Sequence, residues 1–372
     1  MISCLRACSG SPADALAAWL AADPAAGNRL VDFLPRGELR WFASGRMALF
    51  QGLAAQGIGA GDDVLVPPYV AAGVVDPIRA LGARARFVAS GPGLVADVAA
   101  LNAACGSRTR AVVVVHHLGQ AQPVEELARW CRARGVMLIE DCAQALFSRH
   151  PDGTPYGSHG HMALFSLTKQ LPVTDGAVLV ARESIPAAPA EGVSSTAAEA
   201  ARLMGAHLAA VDAACREQTG GDDAWRAVAS TYRRAYDVLS RDFAASLPTA
   251  ATADVIARLD ASAFADRRRS VVRRVAAGIV NPALSAFGDW QLPLSVPMAL
   301  GALVPAGKRS DWVARAERAG VQLSTLVDLW DYTEGVDCPN DIDHRDRHVL
   351  IPVGENLDGA DIDLLVRTIN RL

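Results

Sequence analysis

Lysine is almost missing from this chain: among its 36 basic residues only Lys169 and Lys308 are lysines. A chain that relies on arginine for solubility and keeps so few amines gives each a claim to chemistry, because an amine can shed its proton and attack a carbonyl where a guanidinium cannot. Long apolar runs are also absent. Stretches such as 111–115 fall far short of the roughly 20 residues a membrane helix needs, so none is expected. There is no excess of positive charge, with 36 basic against 40 acidic residues, which removes any bulk attraction to nucleic acid or an anionic membrane. The seven cysteines (Cys4, Cys8, Cys105, Cys131, Cys142, Cys215 and Cys338) contain no CxxC pair, so neither a disulfide framework nor a zinc or other metal site is suggested. The opening MISCLRACSGSPADALAAWL is broken by Asp14 and scattered polar residues and lacks the continuous apolar core of a signal peptide. The expectation is a mature cytoplasmic protein working on small molecules.

What is present is apolar bulk. With 372 residues and 51% hydrophobic content, the chain can bury a large core and suits one large domain plus a smaller one. From Gly45 to Val180 helical patterns alternate with short β-rich runs, the mark of a mostly parallel sheet covered by helices. GRMALFQGLAAQ reads as the first helix. DVLVP, ARFV, TRAVVVVHH and VMLIED read as buried strands, and HMALFSL and GAVLVA as two more flanking the turn TKQLPVTDG. The stretch from Thr196 to about Ser246 is helical in pattern. From Ala253 one long helix is expected through IARLDASAFADRRRSVVRRVAAG, its DRRRSVVRR run forming a solvated face, with substrate phosphate binding a distant second reading. Short strands MALGALVP and HVLIPV follow. These patterns place a large α/β domain at 1–250 and a small α+β domain at 251–372.

Three pieces carry candidate chemistry. VMLIEDCAQAL brings Asp141 to the C-terminal end of a buried strand, where open parallel sheets bind their ligands. Asp141 either caps the following segment or meets a buried cation, since a carboxylate there is costly without a partner. Its neighbour Glu140 must point the other way. In FSLTKQLPVTDGA, Lys169 sits in a turn between two apolar strands, where a carbonyl can reach it; an ordinary surface lysine is the competing reading, weakened by the scarcity of lysine. In ASGRMAL, Ser44 can cap a helix and Gly45 lets backbone approach an anion at its N-terminus, although simple capping explains that piece equally well. His116, His117, His159 and His161 could line a pocket, but without neighbouring ligands they fit structural roles better.

In this order the pieces resemble the DegT/DnrJ/StrS family of pyridoxal-phosphate-dependent sugar aminotransferases, of the aspartate-aminotransferase fold type I. ASGRMALFQGLAAQGIGAGDDVLVPPYVAAGVVDPIRALGARARFV is similar to the family's N-terminal block. VVVVHHLGQAQPVEELARWCRARGVMLIEDCAQAL with YGSHGHMALFSLTKQLPVTDGAVLV is similar to its central block, and RHVLIPVGENLDGADIDLLVRTI to its closing strand and helix. The resemblance implies that Lys169 forms an internal aldimine with pyridoxal 5′-phosphate, Asp141 holds the pyridine nitrogen, and Gln144 lies near the phenolic oxygen. It further implies that Gly45, Arg46 and Met47 meet the phosphate, Arg46 and Met47 through backbone amides, with Ser166 and Thr168 as added neighbours. Tyr69 is the candidate for stacking on the ring.

The departures from the family pattern are specific. Leu164 stands where a phosphate-binding serine is usual, Ser166 where a histidine is usual, and Ala71 where the stacking aromatic belongs. The family's Gly-x-Asn-x-Arg element is not recognisable between Ala200 and Ala261. The resemblance implies a homodimer that moves an amino group from an amino-acid donor to a keto or aldehyde group of a sugar or another biosynthetic intermediate. The alternative is a lyase, cyclase or carbon–carbon bond-forming enzyme of the same fold in a secondary-metabolite pathway, because the cofactor serves all these reactions as an electron sink.

Overall fold

The computed structural model describes residues 2–3, 20, 24–25, 27–183, 192–216, 222–289, 294–324 and 335–372. Most of the opening stretch judged against a signal peptide lies outside the described residues.

The four valines of TRAVVVV explain the centre of the fold. In β5 (Thr109–Val115) Ala111, Val113 and Val115 enter one hydrophobic cluster while Val112 and Val114 enter another, so the strand is covered on both faces, as its unbroken apolar run requires. Around it runs a seven-stranded sheet in the order β2-β8-β7-β6-β5-β3-β4. Its other members are β2 (Glu38–Phe42), β3 (Asp63–Val66), β4 (Arg84–Phe87), β6 (Met137–Asp141), β7 (Met162–Ser166) and β8 (Ala177–Ala181). Pairings from β4 through β7 are parallel, and β7–β8 and β8–β2 are antiparallel. The chain steps outward from β3 to β4, then crosses back to lay β5 on the other side of β3. This reversal opens a crevice at the carboxyl ends of β3 and β5, the usual ligand position in such sheets.

Helices α1 (Gly45–Ala55), α2 (Ala72–Ala80), α3 (Val98–Ala104) and α4 (Val124–Arg134) connect these strands. α1 lies close on the sheet at Gly52, where a Cβ would come within 2.9 Å of Leu179. The stretch after β8 forms a hairpin of two helices, α5 (Ser195–Arg216) and α6 (Asp222–Leu239). Its apolar residues, among them Ala200, Leu203, Met204, Ala235 and Val238, join the same core cluster as α1 and α2.

The single long helix expected from Ala253 is two helices, α7 (Ala250–Arg258) and α8 (Ala261–Gly278). Asp260 breaks it by capping α8, its carboxylate accepting from Ala263 N at 3.0 Å and from Asn28 Nδ2 at 3.2 Å, a role aspartate fills better than a helix interior. Within DRRRSVVRR, Arg268 is fully buried against expectation, paired with Glu355 and lying 4.9 Å from the Phe264 ring centroid. The first half of α8 packs with the main sheet's core through Phe264 and Ala265, and its second half packs through Val271 and Val275 into the C-terminal core. That core holds an antiparallel sheet of β9 (Ser285–Ala286), β10 (Ala299–Leu303) and β12 (His348–Pro352), with α9 (Arg309–Arg318), α10 (Pro339–Arg347) and α11 (Gly359–Arg371). β1 (Ile2–Ser3) pairs in parallel with β11 (Val321–Gln322), joining the start of the chain to this smaller unit.

Candidate active site

Lys169 ends a short 3₁₀ turn, Leu167–Lys169, directly after β7. The turn is tied on all sides. Leu167 N donates to Gly176 O at 3.0 Å, Gly176 N to Ala43 O at 2.7 Å, and the buried Gln170 to Val296 O at 2.7 Å. Asp175 accepts from the Thr249 backbone at 2.7 Å and from the hydroxyls of Thr249 and Thr252. The lysine therefore stands on a fixed platform at the edge of a cavity of about 460 Å³, within the usual size of a small-molecule site.

Asp141, at the end of β6, reaches the same cavity. One carboxylate oxygen accepts from Ala143 N at 2.9 Å, so the capping role is real but satisfies only part of the group. Burial pushes its carboxyl above the usual range, while Lys169, the Ala143 amide and His116 pull the other way. A buried carboxylate in this condition is completed by a cationic N–H. Glu140 does point away, as strand alternation demands. It meets His116 Nε2 at 3.0 Å and accepts from the amides of Gly157, His159 and Gly160. Burial works to raise its pKa, and the His116 hydrogen bond and charge with the Gly160 and His159 amides overcome this and hold it at about 2.

Gln144, Ser166, Thr168, Gly45 and Arg46 line the cavity with Lys169 and Asp141. Gln144 Oε1 accepts from Leu118 N at 2.8 Å, and the Ser166 and Thr168 hydroxyls are 3.3 Å apart. Leu164 and Ala71, the departures from the family pattern, also face it. Two expected residues do not. Met47 is wholly buried in the core and its amide already donates to the Ser44 hydroxyl at 3.3 Å, because Ser44 caps α1. Tyr69 is outside the lining. It sits behind His117, ring centroids 5.2 Å apart and edge to face, because its neighbours Phe287, His344 and His348 draw it into the packing of the C-terminal unit.

His117, for which the sequence favours a structural role over pocket lining, lines the cavity with Nδ1 buried and without a partner. Burial above all, then the charges of His344 and Lys169, depresses its pKa to about 3, so the ring is neutral. The next residue, Leu118, has φ of +50°, left-handed backbone that a leucine adopts at a cost, and such strain gathers at functional sites. The hairpin was missed: Ala200 and Met204 of α5 and Tyr232, Arg233 and Tyr236 of α6 form a wall of the cavity. The tyrosine spacing i,i+4 in STYRRAYDVL places both rings on one helix face, and that was its only trace in the sequence.

The fold, with Lys169 and Asp141 lining one cavity at the carboxyl edge of a mostly parallel sheet, is shared with solved aminotransferases. The solved structure of the aminotransferase TlmJ from Streptoalloteichus hindustanus superposes with a TM-score of 0.67 over 95% of this chain and 92% of that one, at 20% identity. The Spr1654 protein of Streptococcus pneumoniae in its PLP form gives 0.68 over 95% and 92%, at 15% identity; likeness at this level of identity speaks for the fold. GDP-perosamine synthase of Vibrio cholerae is 32% identical over 150 residues, 40% of this chain and 41% of that protein. The chain thus matches about two fifths of that curated relative's length. Residues 30–205 match the DegT/DnrJ/EryC1/StrS aminotransferase family model.

Proposed function

We propose that the protein is a pyridoxal-phosphate-dependent aminotransferase acting on a keto or aldehyde group of a sugar or other small biosynthetic intermediate, with an amino acid as donor. The observation that carries this reading is the presence of Lys169 and the under-satisfied carboxylate of Asp141 on one cavity. The residues fit the cofactor: Lys169 Nζ would anchor its aldehyde, Asp141 would accept from its protonated pyridine nitrogen, and Gln144 lies within the same lining. When bound, pyridoxal phosphate supplies an electron sink that stabilises negative charge on the carbon next to the substrate nitrogen.

The protein's own groups decide the outcome. Asp141 would hold a proton on the ring nitrogen and so keep the sink strong. Lys169 Nζ would serve as the base that takes the proton from the donor carbon and later returns it, which needs an amine fixed over one face of the site. The ties of the Leu167–Lys169 turn to Gly176 and Gln170 supply that fixity. The active form is a homodimer, in keeping with the commonest closed symmetry, and it acts in the cytoplasm.

The test is to mix stoichiometric enzyme with glutamate, glutamine, alanine or aspartate, one at a time. The yellow band of the lysine-bound cofactor should fade with at least one donor while the matching keto acid appears. If every donor leaves the band in place while an amino-acid-derived substrate is consumed, the lyase or carbon–carbon bond-forming reading replaces transamination.

A further inference from the structure

His117 is a buried polar ring with nothing to bond. It is 4% exposed and lines the cavity, yet among the described residues its ring makes no hydrogen bond. Nδ1 is shut in, which leaves Nε2 as the nitrogen open to the cavity. The groups packed on the ring are other rings: Tyr69 and Phe287 meet it edge to face, with centroids 5.2 and 6.4 Å away. A buried ring without a partner is costly, so the partner of one kept at a cavity is to be found in the ligand.

The ring is also fixed in place. The strained Leu118 that follows donates its amide to Gln144 Oε1 at 2.8 Å. Beyond it, Gly119 O accepts from Ser295 Oγ at 3.1 Å, and a Cβ on Gly119 would lie 2.8 Å from that same oxygen. Gln144 and Ser295 thus clamp the loop from two sides, and an imidazole held to one direction can read one atom of a ligand.

Which atom that is follows from charge and from what is already taken. The cofactor's aldehyde, ring nitrogen and phenolic oxygen have Lys169, Asp141 and Gln144, so His117 remains for a substrate. The amino donor brings a carboxylate, which calls for a cation. His117 is neutral, because burial and the charges of His344 and Lys169 oppose its protonation, and Val115 and Met298, which line the cavity with it, add no charge. A hydroxyl suits a neutral imidazole in either tautomer, since it can donate to a bare nitrogen or accept from an N–H. Gln144, which anchors the loop, also fixes where this happens: in pyridoxal phosphate the phenolic oxygen stands beside the aldehyde carbon at which the acceptor reacts.

We propose that His117 is a specificity-determining residue for the carbonyl acceptor, its Nε2 hydrogen-bonding an uncharged hydroxyl on the carbon next to the reacting carbonyl. This rests on the aminotransferase reading above. It narrows the acceptors to α-hydroxy ketones and aldehydes.

The test takes full-length holoenzyme bleached with an amino donor and then freed of it, and adds hydroxyacetone or butanone, which carries a methyl where hydroxyacetone has its hydroxyl. The rate at which the yellow band returns, followed against ketone concentration, gives one apparent second-order constant for each. Wild type should prefer hydroxyacetone, and His117→Leu should lose roughly 3- to 10-fold of that preference, the worth of one neutral hydrogen bond. Because both ketones are measured on one preparation, lost cofactor or partial misfolding lowers both constants and leaves the ratio as the readout. His117→Gln, whose amide reaches the position of Nε2, should keep the preference. A wild type without the preference, or an equal ratio in wild type and His117→Leu, overturns the assignment. So does a shifted titration midpoint of the yellow band in His117→Leu with the ratio unchanged, which puts the ring on the cofactor. A band that no donor bleaches is a separate result, and it overturns the aminotransferase reading together with this assignment.

Discussion

Asp141 and Glu140 are adjacent carboxylates with opposite fates, and each fate follows from what the strand turns it toward. Asp141, facing the cavity with one backbone amide, is a charge waiting for a partner. Asp141→Asn should therefore fold with a melting temperature at or above that of wild type, because it removes a desolvated charge, while turnover falls by about 100-fold or more as the ring nitrogen loses its counter-charge. Turnover equal to wild type would remove Asp141 from its role. Glu140, facing His116 and three amides, is the opposite case. Its folded pKa of about 2 lies below its ordinary 4.5, so its contribution to stability is complete above pH 4.5 and is lost as pH falls through the interval down to about 2. Glu140→Gln should cost about 3–5 kcal/mol at neutral pH because it leaves buried partners unpaired. Denaturant melts of both proteins from pH 7 to pH 2.5 should show that gap narrowing below pH 4.5, and a gap that stays constant would contradict the assignment.

At the scale of elements, the sheet was legible because strand burial writes itself into sequence. The valines of β5 and the run MLIED of β6 admit few other readings, and they deliver Asp141 and, through the β7–β8 turn, Lys169 to the correct edge. The break between α7 and α8 was less legible, since LDASAF continues an acceptable helical pattern and only the cap at Asp260 marks the stop. Asp260→Ala should cost about 1–2 kcal/mol, the usual worth of an N-cap, read as a lower melting temperature. No change would mean that the Asn28 contact and the cap are both dispensable. Arg268 was unreadable for a different reason: its partner Glu355 lies 87 residues away, and nothing local tells a buried arginine from a solvated one. The α5–α6 hairpin was visible as helix but not as a wall of the site. Its role comes from packing against α1 and α2, which no period in its own sequence encodes.

For the whole molecule, the reversal of strand order at β3 and β5 gathers the site from segments far apart in the chain, the turn after β7, the end of β6, the starts of α1 and α2, and the hairpin. That is why the sequence could bring Lys169 and Asp141 to the cavity while Tyr69 and Met47 fall outside its lining. The first two depend on strand ends, which periodicity fixes. The others depend on side-chain packing, in which Tyr69 is drawn to the C-terminal unit and His117 comes to the cavity in its stead. The dimer proposed here should appear by light scattering as twice the chain mass or a multiple of it, and a monomer that still turns over would contradict it. The central claim is that one amine carries the chemistry, and a chain with only two lysines makes it unusually direct to check. Borohydride reduction of the yellow protein followed by peptide mapping should place the cofactor on Lys169. Label on Lys308, or none on either lysine, would contradict it.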